Sequence, residues 1–349
     1  GWLAQKLRDK RGTAVTVAGA VMALAMLGLF AMPAPVAPVL WFALMLTLVF
    51  SAFSFLTICF YAQGVAKADS LPGAGHLTLA RWRETGALLG VCLASVAPLL
   101  LGVGLDRPFA GFAVGFAILA LWATVAMRGE WRAAVLPMES DFGTVLRDAQ
   151  ARRLLLIALV NAAPVAVTST LFLFYVELAL EAPGWEGPLL LLFFLAAAAA
   201  APLWGILAEQ HGPRRVLLVA MALGIASFGG ALLLGPGDVA LFALVCLASG
   251  AVLGADLTLL PAMFASRMAQ ISPSAAEGFG LWSFVSKLTL AFAAVALLPA
   301  LERAGLQTAA GTSSDTSISL LIWFYAGVPC ALKLLAIALL ASAKDVETP

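Results

Sequence analysis

Ten long runs of apolar residues follow one another along the chain, each separated from the next by a polar stretch. They fall at about Ala14–Met32, Pro38–Ala62, Thr85–Leu105, Pro108–Met127, Leu154–Val176, Pro188–Ala208, Val216–Gly235, Ala240–Ala262, Phe279–Ala300 and Ser317–Leu340. A hydrocarbon core about 30 Å thick is crossed by about 20 residues of helix. Chain inside lipid must satisfy its backbone hydrogen bonds internally, which leaves helices for runs of this length. The pattern therefore predicts ten spanning helices and an all-α polytopic membrane protein.

Composition agrees. Of 349 residues, 62% are hydrophobic and 11% charged, whereas a soluble domain carries about a quarter of its residues as Asp, Glu, Lys and Arg. The net charge of +1 provides no basic field for nucleic acid. The four cysteines, Cys59, Cys92, Cys246 and Cys330, lie in apolar runs without Cys-x-x-Cys spacing. They read as buried thiols. Both histidines, His76 and His211, fall in polar loops, and no phosphate loop or serine elbow occurs. An enzyme is not expected, and neither is a metal or an organic cofactor.

Charge placement sets the orientation, because Lys and Arg collect on the cytoplasmic side. With the N-terminus inside, the inner segments hold Lys6, Arg8, Lys67, Arg83, Arg128, Arg153, Arg215, Arg267 and Lys344, among others. The outer loops hold only Arg107 and Arg303 as basic residues, with Glu177, Glu181, Glu186, Asp238 and Glu302. Both termini are expected in the cytoplasm, in a bacterial inner membrane. The segment Gly1–Arg11 is short and basic and does not read as a signal peptide.

The longest polar segment, Arg128–Arg153, follows four runs and precedes six. It reads as a central linker able to form a surface amphipathic helix. Two basic turns echo each other, GWLAQKLRDKRG at Gly1–Gly12 and WGILAEQHGPRR at Trp204–Arg215. If they are equivalent loops of two repeats, two spans are expected ahead of Gly1. The expected division is 1–127 for a first half, 128–153 for the linker and 154–349 for a six-helix second half.

These features resemble the major facilitator superfamily, whose members have twelve spans in two halves with a Gly- and Arg-containing loop after the second span of each. Within it the chain is similar to the glycoside–pentoside–hexuronide cation symporters, which include melibiose carriers. The stretches that carry the likeness are the opening turn, ARWRETGALLGVCLAS at Ala80–Ser95 and GLWSFVSKLTLAFAA at Gly280–Ala294. The resemblance implies a twelve-helix fold lacking its first two helices. It places the family's fourth-span acid near Thr57, its sugar-contacting Arg near Val91 and its tenth-span acidic pair near Ala262–Ala265. Only Lys287 matches a family polar position.

Lys287 lies deep in an otherwise apolar run. A charge there costs at least a few kcal/mol unless it faces the bundle interior or water. It reads as a solute contact or a partner for an acid, with Trp282 on its side of the helix; the plainer reading is an interhelical hydrogen bond. Asp256 is the other acid within a run, a site for a proton or cation or a partner for Lys287. Asn161, Thr168 and Tyr175 share a helix face by their spacing of seven, although hydroxyls often bond only to their own backbone. Thr57 and Tyr61 are further solute or ion candidates. Arg83, Glu84, Arg214 and Arg215 read as gating or loop-anchoring residues. Lys333 reads as a lysine that snorkels to the inner face.

The leading functional expectation is a secondary transporter of a small organic solute working by alternating access, with a coupling proton or sodium ion. A scaffold on the same fold, with a protein partner, and an exporter or flippase of an amphipathic molecule are the alternatives. The topology predicts that single cysteines placed at Pro183 and Gln210 label from opposite faces of the membrane. Labelling from one face would overturn it.

Overall fold

The computed structural model describes residues 11–68, 70–71, 74–132, 142–271, 275–303 and 315–343. Ten helices among them are long and apolar enough to cross a membrane, the number the hydrophobic pattern predicts. The chain is an all-α integral membrane protein. Large apolar side chains such as Trp122, Leu233 and Phe292 stand exposed on the helix surfaces, as a lipid solvent allows and water does not.

The spans are α1 (Arg11–Phe30), α2 (Pro38–Ala68), α3 (Gly75–Leu101) and α4 (Pro108–Ala126), then α6 (Ala149–Phe174), α7 (Glu186–His211), α8 (Pro213–Gly229), α9 (Val239–Ile271) and α10 (Ala276–Arg303). The last span is α11 (Asp315–Ile322), a π turn at Trp323–Gly327 and α12 (Val328–Ser342). The linker does not form one amphipathic helix across its described residues. It holds a 3-10 turn, Met127–Arg132, and the short α5 (Phe142–Arg147), and residues 133–141 lie outside the described residues. Two spans outrun their apolar stretches. α3 begins ten residues before Thr85 and α9 ends nine after Ala262. A hydropathy window stops at charge, but Arg81, Arg83, Glu84 and Arg267 form ion pairs, so the helices carry on through them.

By contact the chain forms two compact units, with boundaries between α2 and α3 and inside α3, α5, α9 and α10. The first comprises residues 1–72, 93–145 and 268–283. In it α1 packs on α2 and α4. Trp41 Nε1 donates to the Gly28 carbonyl at 2.8 Å, and a buried Arg11 donates to Gln63 at 3.2 Å. Gln63 in turn donates to the Glu130 carbonyl at 2.7 Å.

The second unit comprises residues 73–92, 146–267 and 284–349. There α12 packs against α6 and α8. α9 meets α7 backbone to backbone: a Cβ at Gly250 would lie 2.2 Å from the Phe193 carbonyl oxygen, and one at Gly254 would lie 2.6 Å from that of Ala197. Close approach at small residues is how helices gain contact in lipid, where apolar burial drives little. Trp204 Nε1 adds a hydrogen bond to the Ala251 carbonyl at 2.7 Å.

A second π turn, Tyr175–Ala179, ends the α6 span. Its Tyr175 stacks on Tyr325 of the other π turn, with centroids 4.1 Å apart. Phe242 and Phe228 close round the pair, and the cluster forms the core at this end of the unit.

Gly254→Ala should cost about 1–3 kcal/mol of stability, because a backbone carbonyl has little room to move aside. Gly90→Ala, where a Cβ meets nothing within 4 Å, should be near neutral. Thermal unfolding of the purified protein in detergent distinguishes them; equal effects would contradict the close contact.

Candidate functional site

Asn161 on α6, Asp256 on α9 and Lys333 on α12 meet inside the second unit, each under 8% exposed. The Lys333 ammonium pairs with Asp256 Oδ2 and donates to Asn161 Oδ1 at 2.7 Å. Lys333 lies nine residues before the end of its helix, about 14 Å at about 1.5 Å per residue. That exceeds the reach of a lysine side chain, so the snorkelling expected from the sequence does not occur. The other expected pairing, Lys287 with Asp256, is replaced by Lys333 with Asp256. Lys287 stands on an exposed face of α10.

The pair borders a cavity of about 70 Å³, lined among others by Pro164, Thr168, Phe228, Ser249, Asp256 and Lys333. A second cavity of about 70 Å³ adjoins the first across the shared residues Val165, Thr168, Phe193, Phe228, Ser249 and Leu253, and the two are termed lobes. It is closed by Phe172, Phe194, Phe242 and Tyr325. One lobe is therefore charged and the other aromatic. Asp256 Oδ1 is buried with no hydrogen-bond partner, an unusual condition for an acceptor at this depth.

The sequence-predicted residues divide. Asp256 and Thr168 line this cavity, and Asn161 is joined to it through Lys333. Tyr175, the third member of the predicted face, is fully buried in the aromatic core and donates to the Ala231 carbonyl at 2.7 Å. Thr57 donates to the Phe53 carbonyl of its own helix at 2.8 Å. Tyr61 packs on Phe279 at 4.7 Å, and Trp282 is half-buried on α10, both in the first unit. Arg83 Nε donates to the adjacent Glu84 at 2.8 Å. Arg214 caps α12 by donating to the carbonyls of Leu340 and Ala341 at 3.2 and 2.7 Å. Arg215 is exposed.

Two further ion pairs had no signal in the sequence. Arg81 and Thr78 of α3 both donate to Glu209 of α7, at 3.0 and 3.2 Å. Arg267 donates from Nε and Nη2 to the two oxygens of Asp148, at 3.0 and 2.5 Å. Asp148 also caps α6 by accepting from the Ala151 amide. The guanidinium holds the Asp148 carboxyl below its ordinary value. Each of these pairs joins residues more than a hundred positions apart, and periodicity carries no trace of such a match.

Removing one member of the buried pair strands the other. Asp256→Leu or Lys333→Met alone should cost about 3–5 kcal/mol. The double variant should regain most of that loss. Unfolding in detergent measures the cycle, and strictly additive losses would contradict a direct pair.

A family model described as MFS/sugar transport protein matches residues 1–344. No curated protein sequence matches at a significant level. Among solved structures, the fold is similar to that of a bacterial homologue of the iron transporter ferroportin in an outward-facing state. The TM-score is 0.68 at 13% identity, over 96% of this chain and 84% of that one. It is also similar to the E. coli fucose:proton symporter, with a TM-score of 0.62 at 13% identity, over 96% of this chain and 86% of that one. At such identities the likeness is one of fold.

Proposed function

The chain belongs to the MFS/sugar transport protein family, and we propose that it is a proton-coupled secondary active transporter of a small organic solute, with Asp256 as the coupling group. Family and fold point to a transporter of the alternating-access kind rather than an enzyme. The observation that carries the finer reading is the buried Lys333–Asp256 pair on a cavity wall, with one carboxylate oxygen unpartnered.

A proton on Asp256 removes its charge and weakens its attraction for Lys333, which Asn161 still holds. The three residues sit on three helices, α6, α9 and α12, so the proton alters how those helices are tied together. A solute reaching the same cavity meets either a paired or a released lysine. Binding and protonation then favour or oppose each other through one shared carboxylate, which is what coupling requires. The titratable groups lining this lobe are Asp256, Lys333 and Cys330.

The finer family likeness, to the melibiose-carrier branch, supports Lys287 as a proposed solute contact, and Trp282, Thr57 and Tyr61 are proposed beside it on their own polar or aromatic character in and beside the apolar runs. Arg83, Glu84, Arg214 and Arg215, at the ends of spans, are proposed as gating or loop-anchoring residues, and the bonds of Arg214 to the Leu340 and Ala341 carbonyls favour anchoring for that one. We place the protein in a bacterial inner membrane with both ends in the cytoplasm, on the distribution of Lys and Arg.

Proteoliposomes enclosing a pH-sensitive dye test the reading. A panel of neutral sugars and amphipathic alcohols is added outside, and a carried solute should move protons. Asp256→Asn should lose proton movement by about tenfold or more while still exchanging labelled solute across the membrane. Proton movement unchanged in that variant would reject Asp256 as the coupling group. A panel in which no solute moves protons or exchanges would reject transport.

A further inference from the structure

We propose that the two-lobed cavity of the second unit binds a neutral amphipathic alcohol, a solute with an apolar body and two or more hydroxyl donors. The proposal deepens the transport reading and rests on the same site.

The polar lobe is rich in acceptors. The Thr168 hydroxyl donates to the Val165 carbonyl at 3.1 Å and the Ser249 hydroxyl to that of Val245 at 2.6 Å. Their protons are committed, and each oxygen keeps lone pairs to accept. Asp256 Oδ1 is a third acceptor, buried without a partner. On the donor side, Lys333 spends two bonds on Asp256 and Asn161, which leaves one N–H of the three an ammonium has. A ligand that fits must therefore bring donors, and more than one.

Charge decides which donors. While Asp256 is ionised it and Lys333 neutralise each other, so in that state a neutral hydroxyl enters without leaving an unbalanced charge. An ammonium would add a charge to a buried space with no counter-ion, which is costly. A carboxylate or phosphate would bring more acceptors to a wall already supplied with them.

The second lobe selects the body of the ligand. Phe172, Phe193, Phe194, Phe228 and Phe242 line it, and such walls suit a ring or a short hydrocarbon more than a free sugar. Thr168 and Ser249 border both lobes, and the proposed ligand passes between them as a single molecule, with its hydroxyls at one end and its apolar part at the other. A water needs about 10–15 Å³ of such space, so a lobe of about 70 Å³ has room for a group of several heavy atoms.

The test uses the full chain in lipid nanodiscs and titration calorimetry with four probes. 3-Phenoxy-1,2-propanediol carries both features, glycerol only the head, phenetole only the body, and 3-phenoxypropylammonium a charged head. The diol should bind at least about tenfold tighter than each of the other three. Thr168→Val, which keeps the volume and removes one acceptor, should weaken the diol about two- to tenfold. Ser249→Phe, which fills the shared wall, should abolish its binding while the protein stays monodisperse. Ammonium binding as tight as the diol would overturn the neutral class. Diol binding untouched by Thr168→Val and Ser249→Phe would overturn the location, and no diol binding would overturn the site. Diol binding without solute-coupled proton movement would keep the site and reject the transport reading; proton movement without diol binding would do the reverse.

Discussion

A bilayer interior supplies no water to take up a charge that loses its partner, and the second unit is organised around that constraint. Lys333 cannot reach an interface, so Asp256 and Asn161 come to it from two other helices. Three helices that share no sequence neighbourhood are thereby tied at one depth. The tie is also conditional. A pair held by opposite charge is weakened by one proton, whereas an apolar contact in the same place would not respond to one. A buried pair is weak evidence for stability, and under the proposed transport reading its position on a cavity wall gives it a switching role.

Close packing elsewhere makes that cavity meaningful. Gly250 and Gly254 let α9 lie directly on the backbone of α7, leaving no space at that contact. The space lies instead beside Pro164 and Pro329, which line the charged lobe. Each proline lacks an N–H, so the helix before it loses a regular hydrogen bond. The π turns at Tyr175 and Trp323 are further departures from regular helix in the same unit, and such turns are often found at functional sites. Irregular helix and cavity therefore occur together, while regular helix and glycine contact hold the remainder.

The balance of donors and acceptors gives the cavity a chemical preference that its shape alone would not. Thr168 and Ser249 satisfy themselves on their own helices, the plain outcome for hydroxyls in lipid. That same bond turns them into acceptors for anything beside them. The charged lobe then asks for donors, and the aromatic lobe asks for apolar surface. The transport reading and the ligand class thus draw on one set of atoms, with Asp256 common to both.

The number of spans, their helical state and the membrane environment were legible in the sequence, because lipid permits no other use for long apolar runs. Asn161, Asp256 and Thr168 were legible as polar positions, since polar side chains inside such runs stand out. The partner of Asp256 was not. Lys287 and Lys333 lie at similar depth in neighbouring apolar runs, and no local pattern says which faces the interior. The choice depends on how α12 packs against α6 and α8. Tyr175 went astray for a related reason: a spacing of seven keeps one face only in regular helix, and at Tyr175 the chain enters a π turn. The ion pairs of Arg81 with Glu209 and Arg267 with Asp148 join distant segments. Sequence determined which stretches enter the membrane, because that depends on each stretch alone. Tertiary structure decided which charges meet, because that depends on how separate helices are turned toward one another.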